Sequence, residues 1–218
     1  MDQASSRERS GNPPIPMLKL ALIASGSGTN MQSVIDACGS GSLAAEVCVV
    51  IGNNSKSGGL DRARAAGIAT HHLSGKTHPD PVALDQVMAL TLRQAGVTIV
   101  CLAGYMKLLG PQTLAAFRGR VLNIHPGLLP KYGGRGFYGR AVHEAVLAAG
   151  DSESGATVHV VDEVYDHGSI LAQSRVPVLA RDTADSLAAR VLQQEHILYV
   201  ETLQRITAGE IELPAYKA

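Results

Sequence analysis

Residues 121–132 read VLNIHPGLLPKY, and the interpretation of the whole chain starts from this stretch. Its first residues are apolar and partly β-branched, which predicts a buried strand. Asn123 and His125 interrupt the apolar run two residues apart, so both side chains are expected on one face of that strand. Pro126 ends the strand because it lacks a backbone N–H. An amide beside an imidazole can stabilise an oxygen that gains negative charge. The alternative is a hydrogen-bonded Asn and His that only complete the core.

The composition predicts a single globular domain without a charged partner surface. The chain has 218 residues, of which 45% are hydrophobic and 17% charged, with 19 basic and 19 acidic side chains. This length can bury a substantial core. Balanced charge argues against nucleic-acid binding, and no apolar run reaches the roughly 18 residues of a membrane span. Cys38, Cys48 and Cys101 are odd in number and scattered, which is typical of reduced cysteines in a cytoplasmic protein.

The first 16 residues differ in character from the rest. They are polar and then proline-rich, and they contain no apolar core of a signal peptide. We therefore expect residues 1–16 to form a disordered extension and residues 17–218 to form the single domain.

A second motif lies near the start of that domain. Residues 18–24 are almost continuously apolar, as in a strand buried on both faces. The glycine-rich turn SGSGTN follows at residues 25–30, and helical apolar spacing begins immediately after it. A strand, a glycine-rich turn and a helix start form an anion site in many proteins, with Thr29 and Asn30 as additional donors. The alternative is a plain tight turn, since neither the dinucleotide fingerprint nor the Walker lysine is present.

Strand and helix patterns alternate over most of the chain, which predicts an α/β fold with a doubly wound, Rossmann-like, mostly parallel sheet. A C-terminal antiparallel hairpin and a long helix complete it. Ligands of such sheets bind beyond the carboxyl ends of the strands, where the turn at 25–30, the apolar loop at 104–109 and the Asn-x-His pair all fall. The predicted strands are 18–24, 45–51, 69–73, 98–103, 121–125, 157–161 and 170–178, with a short terminal strand through 211–213. The predicted helices begin near residue 31 and at 59–66, 79–95, 112–117, 140–149 and 183–207.

These motifs together resemble the 10-formyltetrahydrofolate-dependent formyltransferase family, in particular its glycinamide ribonucleotide (GAR) enzymes. The resemblance covers about residues 18–207, and its most specific part is LNIHPGLLPKY. The glycine-rich turn, the loop LAGYMKLL, the acidic segment DEVYDHG at 162–168 and the helical pattern RVLQQEH at 190–196 match further family motifs. A formyltransferase fold follows as an expectation.

The resemblance assigns roles to individual residues. It implies that Asn123, His125 and Asp166 are catalytic. It places the phosphate and ribose of GAR on Gly28, Thr29, Asn30 and Glu195. Folate contacts fall on Met106, Lys107, Leu108, Leu109, Asn123, Val161, Asp162, Glu163 and Asp166. His159 and His143 are further candidates for the pocket wall.

The implied reaction transfers a formyl group from 10-formyltetrahydrofolate, the cosubstrate, to the primary amine of GAR in de novo purine biosynthesis. It yields formyl-GAR and tetrahydrofolate directly, through a tetrahedral oxyanion intermediate. Asn123 would donate to the oxyanion, while His125 and Asp166 would move or stabilise the proton. The partners are then two small molecules, without nucleic acid, membrane or metal, and the protein is a monomer or a homodimer.

Two departures from the family pattern concern the GAR end of the pocket. The segment after Tyr132, GGRGFYG at 133–139, is longer than in many relatives, and Leu192 replaces a side chain that is polar in some members.

Other functions remain open. A relative could use water as the acceptor, as in a hydrolase, or a different amine, such as an aminoacyl-tRNA. We expect neither, because residues 1–16 and the short tail leave no room for the extra domains of those enzymes. A non-catalytic phosphate-binding α/β module would explain the glycine-rich turn but not the Asn-x-His pair.

Overall fold

The computed structural model describes residues 17–213, so the expected extension at 1–16 lies outside the described residues. Within 17–213 the chain forms seven strands and six helices, in strict alternation as far as the fifth helix. The strands are β1 (Leu18–Ala24), β2 (Ala45–Gly52), β3 (Ala69–His72), β4 (Ile99–Leu102), β5 (Val121–His125), β6 (Glu153–Val160) and β7 (Ile170–Pro177). The helices are α1 (Thr29–Gly39), α2 (Gly58–Ala65), α3 (Pro81–Gln94), α4 (Pro111–Ala116), α5 (Arg140–Ala149) and α6 (Ala184–Thr207).

All seven strands join one sheet in the order β3-β2-β1-β4-β5-β6-β7. The first five of these strands are parallel, while β6 pairs antiparallel with β5 and β7 pairs antiparallel with β6. From β1 the chain first adds β2 and β3 on one side of the sheet. It then returns to the other side of β1, where it adds β4 and the remaining strands. This reversal of strand order opens a crevice at the carboxyl ends of β1 and β4, where ligands of doubly wound sheets bind.

The central strand β1 explains why the sheet is covered on both faces. Leu20 and Leu22 pack on the face that also carries α1, α2, α5 and α6, whereas Ala21 and Ile23 pack on the face of α3 and α4. All four side chains are completely buried. Each buried Leu or Ile contributes roughly 1.5–3 kcal/mol relative to exposure, so an apolar run without alternation is what such a strand requires.

The long helix α6 is fixed to the two strands that carry the site. Its start is capped reciprocally by the side chains of Thr183 and Ser186. In its middle, the completely buried Tyr199 hydroxyl lies 3.1 Å from the carbonyl oxygens of both Leu102 and Leu122. This contact holds α6 against the end of β4 and the first half of β5. None of the helices within 17–213 has the length and apolar character to span a bilayer.

The predicted fold class is confirmed, and the bounds of β1 and α5 match the prediction. Two predictions were wrong. β6 begins at Glu153, not at 157, because the small residues Ser154, Gly155 and Ala156 pair with β7 although they do not resemble a typical strand. Residues 211–213 form no strand, since the partly buried Ile211 and Leu213 instead pack against the core cluster of the α6 face.

Candidate active site

A cavity of about 650 Å³ lies at the carboxyl ends of β1, β4 and β5. The structure brings most of the predicted site residues to its wall, although they are far apart in the sequence. They are Gly28, Thr29, Asn30, Met106, Lys107, Leu108, Leu109, Asn123, His125, His143, His159, Val161, Asp166 and Glu195. Asp162 and Glu163 do not line it.

Asn123 is held by a histidine on the neighbouring strand. β5 pairs with β6 so that Asn123 stands opposite His159, and Nδ2 of Asn123 lies 3.1 Å from Nε2 of His159. Nδ1 of His159 lies 2.9 Å from the Val160 carbonyl oxygen, which can only accept, so this nitrogen carries the hydrogen. In neutral His159, Nε2 is therefore an acceptor for the Asn123 amide. The second hydrogen of that amide is left for a ligand in the cavity.

His125 is oriented by a backbone carbonyl in the loop that follows it. Its ring is only 3% exposed, and Nε2 donates to the Tyr132 carbonyl oxygen over 2.9 Å. The remaining nitrogen, Nδ1, lies 3.6 Å from Oδ2 of Asp166. Since Nε2–H is committed to a carbonyl, Nδ1 is the atom of His125 that can accept a proton, and Asp166 would stabilise the resulting imidazolium.

Asp166 lies between the two imidazoles. Its Oδ1 is 3.5 Å from Nε2 of His159, and its Oδ2 accepts the Gly134 N–H over 2.9 Å. The backbone of Asp166 has φ +55°, a left-handed conformation that Asp tolerates better than most residues. The turn therefore aims this carboxylate at the end of β5.

The electrostatics favour a neutral His125 beside an ionised Asp166. Burial lowers the pKa of His125 and outweighs the charge of Asp166 and the hydrogen bond to Tyr132, which raise it. Burial alone would raise the pKa of Asp166, but a proton on His159 or His125, together with the Gly134 N–H, lowers it below its usual range. The site thus holds an acceptor for one proton and an anion to stabilise it.

The glycine-rich turn forms the start of α1 at another end of the cavity. Gly28 has φ +73°, and a Cβ there would lie 2.5 Å from the Cα of Gly59, so only glycine fits. No side chain caps α1. The first N–H groups of a helix lack partners within the helix and carry partial positive charge, so this end of the cavity suits an anion.

Asn30 and Glu195 form a buried pair beside that turn. Nδ2 of Asn30 donates to Oε2 of Glu195 over 2.6 Å, while Oδ1 of Asn30 is buried without a partner. Burial raises the pKa of Glu195, although the bond from Asn30 opposes this shift. One of the two N–H groups of the Asn30 amide is therefore used by Glu195. The Glu195 carboxylate lines the cavity and can accept a hydrogen bond from a ligand.

The opposite wall of the cavity is apolar. Met106 and Leu108 are about half exposed toward it, at 49% and 47%, and Leu109 is buried behind them. The Met106 N–H donates to Ser25 Oγ over 2.9 Å, which joins this wall to the turn after β1. Such a surface suits a flat, largely apolar ring.

The acidic loop between β6 and β7 contributes different side chains from those expected. Val164 and Tyr165, at 58% and 41% exposure, line the cavity in place of Asp162 and Glu163. The Asp162 carboxylate is used locally, because it accepts the Val164 N–H over 2.8 Å and faces His167 Nδ1 at 2.9 Å. Two apolar residues inside a charged segment were the signal that could have indicated this arrangement.

His143 lies near His125 in the cavity wall. Its ring is 3% exposed, and its Nδ1 has no hydrogen-bond partner among the described residues. Burial, and then the charge of His125, lower the pKa of His143. His143 and His159 both line the cavity. Across residues 17–213, no group of three His, Cys, Asp or Glu side chains is arranged to hold a metal ion.

The fold and the site together define a formyl transferase. The family model described as formyl transferase matches residues 18–203, so the chain belongs to this family. Phosphoribosylglycinamide formyltransferase, chloroplastic, from Vigna unguiculata is 48% identical over 194 residues, covering 88% of this chain and 62% of that protein. Phosphoribosylglycinamide formyltransferase from Haemophilus influenzae is 40% identical over 197 residues, which cover 90% of this chain and 91% of that protein.

A solved structure agrees with the sequence comparisons. Glycinamide ribonucleotide transformylase 1 from Symbiobacterium toebii is similar to this chain with a TM-score of 0.85 and 37% sequence identity. The match covers 98% of this chain and 97% of that one. The chain therefore spans nearly the whole of its bacterial relatives but less than two thirds of the plant protein.

Proposed function

We propose that this protein transfers the formyl group of 10-formyltetrahydrofolate to the primary amine of GAR, yielding formyl-GAR and tetrahydrofolate. The observation that carries the proposal is the convergence of Asn123, His125 and Asp166 between an anion-binding helix start and an apolar wall. The names of the similar proteins support the same reaction.

The two ends of the cavity fit the two substrates. The phosphate of GAR suits the start of α1 at Gly28 and Thr29, and its ribose hydroxyls can donate to the carboxylate of Glu195 beside Asn30. The pterin ring suits the wall of Met106 and Leu108, opposite Val161, Val164 and Tyr165. The amine and the formyl group then meet beside Asn123.

The residues between the substrates suit a direct acyl transfer. As the amine nitrogen bonds to the formyl carbon, the carbonyl oxygen becomes an oxyanion that accepts the free N–H of Asn123. The attacking nitrogen must lose a proton, and Nδ1 of His125 can take it with Asp166 stabilising the imidazolium. Breakage of the bond from the formyl carbon to N10 completes the transfer, and the proton passes to N10.

The polar end of the cavity separates this proposal from its alternatives. A hydrolase needs only a water beside Asn123, which leaves the start of α1 and the buried Asn30–Glu195 pair without a role. A non-catalytic phosphate-binding module would leave Asn123, His125 and Asp166 without a reason to converge. A nucleotide that carries an amine uses both features.

Parallel formyl-transfer assays test the proposal. The purified chain is mixed with 10-formyltetrahydrofolate and, in separate reactions, with GAR, with water alone and with aminoacylated tRNA. We expect rapid formation of formyl-GAR and only slow release of formate. Formyl transfer to tRNA, or formate release at the same rate with and without GAR, would contradict the proposed acceptor. An Asp166→Asn variant controls for contaminating activity.

A further inference from the structure

The cations around the cavity are unevenly distributed. Lys107, Arg135 and Arg140 are its lining cations, and Asp166, Asp185 and Glu195 are its lining carboxylates. A phosphate dianion at the start of α1 would lie near the buried Glu195, which is joined to the first turn of α1 through Asn30. Neutral donors alone would have to offset that repulsion unless a cation reaches the same end.

Two of the three cations are poorly placed for this task. Lys107 stands between Met106 and Leu108, in the wall that suits the pterin ring. Arg140 is already engaged, because its guanidinium donates to Glu144 and Asp185. Helix α6 also contributes Ala188 and Leu192 to the cavity wall, and neither side chain is charged.

Arg135 is exposed, and it makes no ion pair or hydrogen bond within the described residues. It stands at the tip of a four-residue turn that is closed by a 3.1 Å bond from the Phe137 N–H to the Gly134 carbonyl. The next residue, Gly136, has φ +97°, which L side chains rarely adopt. The loop therefore presents one free guanidinium to the cavity.

The loop lies on the same side of the sheet as the phosphate end. It is anchored at one side by the bond from Gly134 to Asp166 and at the other by Arg140 to Asp185 at the start of α6. It leads into α5, which packs on the same face as α1 and α6. A Cβ at Gly134, Gly136 or Gly139 would meet no atom within 4 Å, so the space around the loop is open.

We propose that Arg135 forms an ion pair with the phosphate of the amine substrate. This inference rests on the proposed function and adds to it a binding residue from the loop at 133–139. The arginine supplies the charge that Leu192 on α6 does not, and it offers the fork of N–H donors that phosphate accepts best.

The test compares Arg135→Gln with wild type and with Arg118→Gln, a matched loss of an exposed arginine outside the cavity. We expect Arg135→Gln to raise the KM for GAR about tenfold, with kcat within about twofold and an unchanged KM for 10-formyltetrahydrofolate. Arg135→Lys should recover part of the loss. With glycinamide ribonucleoside, which lacks the phosphate, wild type and Arg135→Gln should have the same KM.

Three results would overturn the inference. They are an equal loss with GAR and with the nucleoside, a rise in the KM for the folate alone, and no difference from Arg118→Gln. If wild type does not formylate GAR at all, the proposed function fails, but calorimetry with ribose 5-phosphate still decides the role of Arg135. Weaker binding by Arg135→Gln than by Arg118→Gln supports the inference, and equal binding overturns it.

Discussion

Asn123 is the residue whose position matters most for the chemistry, because one amide hydrogen is fixed by His159 and the other is left for the oxyanion. We predict that Asn123→Ala lowers kcat by roughly 10²–10³ and changes the substrate Kd values little. Single-turnover kinetics together with equilibrium binding separate these two quantities. An equal loss in binding would make Asn123 a positioning residue.

His159 provides the matched test of that arrangement. His159→Gln keeps an acceptor near Asn123 and should retain much of the rate, whereas His159→Ala leaves the amide unsupported and should lose more. If both variants behave alike, the bond over 3.1 Å to His159 does not orient Asn123.

Asp166 acts through its charge. Its carboxylate oxygens lie 3.6 Å from Nδ1 of His125 and 3.5 Å from Nε2 of His159, which is too far for a strong hydrogen bond to either ring. We predict that Asp166→Asn strongly lowers kcat. The carboxylate raises the pKa of His125, so its loss should lower that pKa further and move the corresponding limb of the pH–rate profile to lower pH. A profile of unchanged shape would remove Asp166 from the proton path.

At the scale of secondary-structure elements, the acidic loop at 161–169 combines a firm base with an apolar tip. A Cβ at Gly168 would lie 1.9 Å from the Val160 carbonyl oxygen, so the base is tightly packed. Val164 and Tyr165 at the tip remain exposed. We predict that a folate analogue, without GAR, slows amide hydrogen exchange across 161–169, because the ring covers the tip.

A comparison of segments shows whether that effect is local. No residue of helix α3 lines the cavity, so α3 serves as the internal reference. Unchanged exchange in the loop at saturating analogue would mean that Asp166 is in place before the folate binds, and slowing in α3 as well would indicate a general gain in stability.

The elements differ in how well their sequences predict them. The bounds of β1 were predicted correctly because a strand buried on both faces is apolar throughout. Those of α5 were predicted correctly because apolar residues at helical spacing lie between two glycines. The start of β6 was predicted too late, because Ser154 and Gly155 are buried only through their pairing with β7. Similarly, the Asn30–Glu195 bond joins residues 165 positions apart, and no local pattern indicates it.

At the scale of the whole molecule, the sheet topology explains why the site could be placed from sequence at all. The motifs at 25–30 and 104–109 each follow a strand, and Asn123 and His125 lie near the end of β5. Parallel strands bring their carboxyl ends to one edge. The loops were less predictable, because their contacts depend on partners across the cavity. The free Arg135 and the apolar Val164 and Tyr165 became apparent only in the assembled fold.

The same assembly should make stability depend on pH. Burial lowers the pKa of His125 and of His143, so the unfolded chain takes up protons near pH 6.5 that the folded chain does not. Stability is therefore expected to fall as the pH drops below about 6.5. Carboxylates with lowered pKa values, such as Asp166, lose their contribution only at more acidic pH.

His143→Gln isolates one of these histidines, since it removes a buried titrating ring and keeps a polar side chain. Lowering the pH from about 8 to about 5.5 should change the free energy of unfolding less in this variant than in wild type, because the variant no longer holds that imidazole neutral. Urea unfolding at several pH values gives both curves, and contributions shared by the two proteins, including that of Glu195, cancel in the difference.

His71→Gln at the exposed His71 is the surface control. A constant difference between His143→Gln and wild type would show that His143 binds its proton equally well in the folded and unfolded chains, and that the buried ring carries no pH-dependent cost.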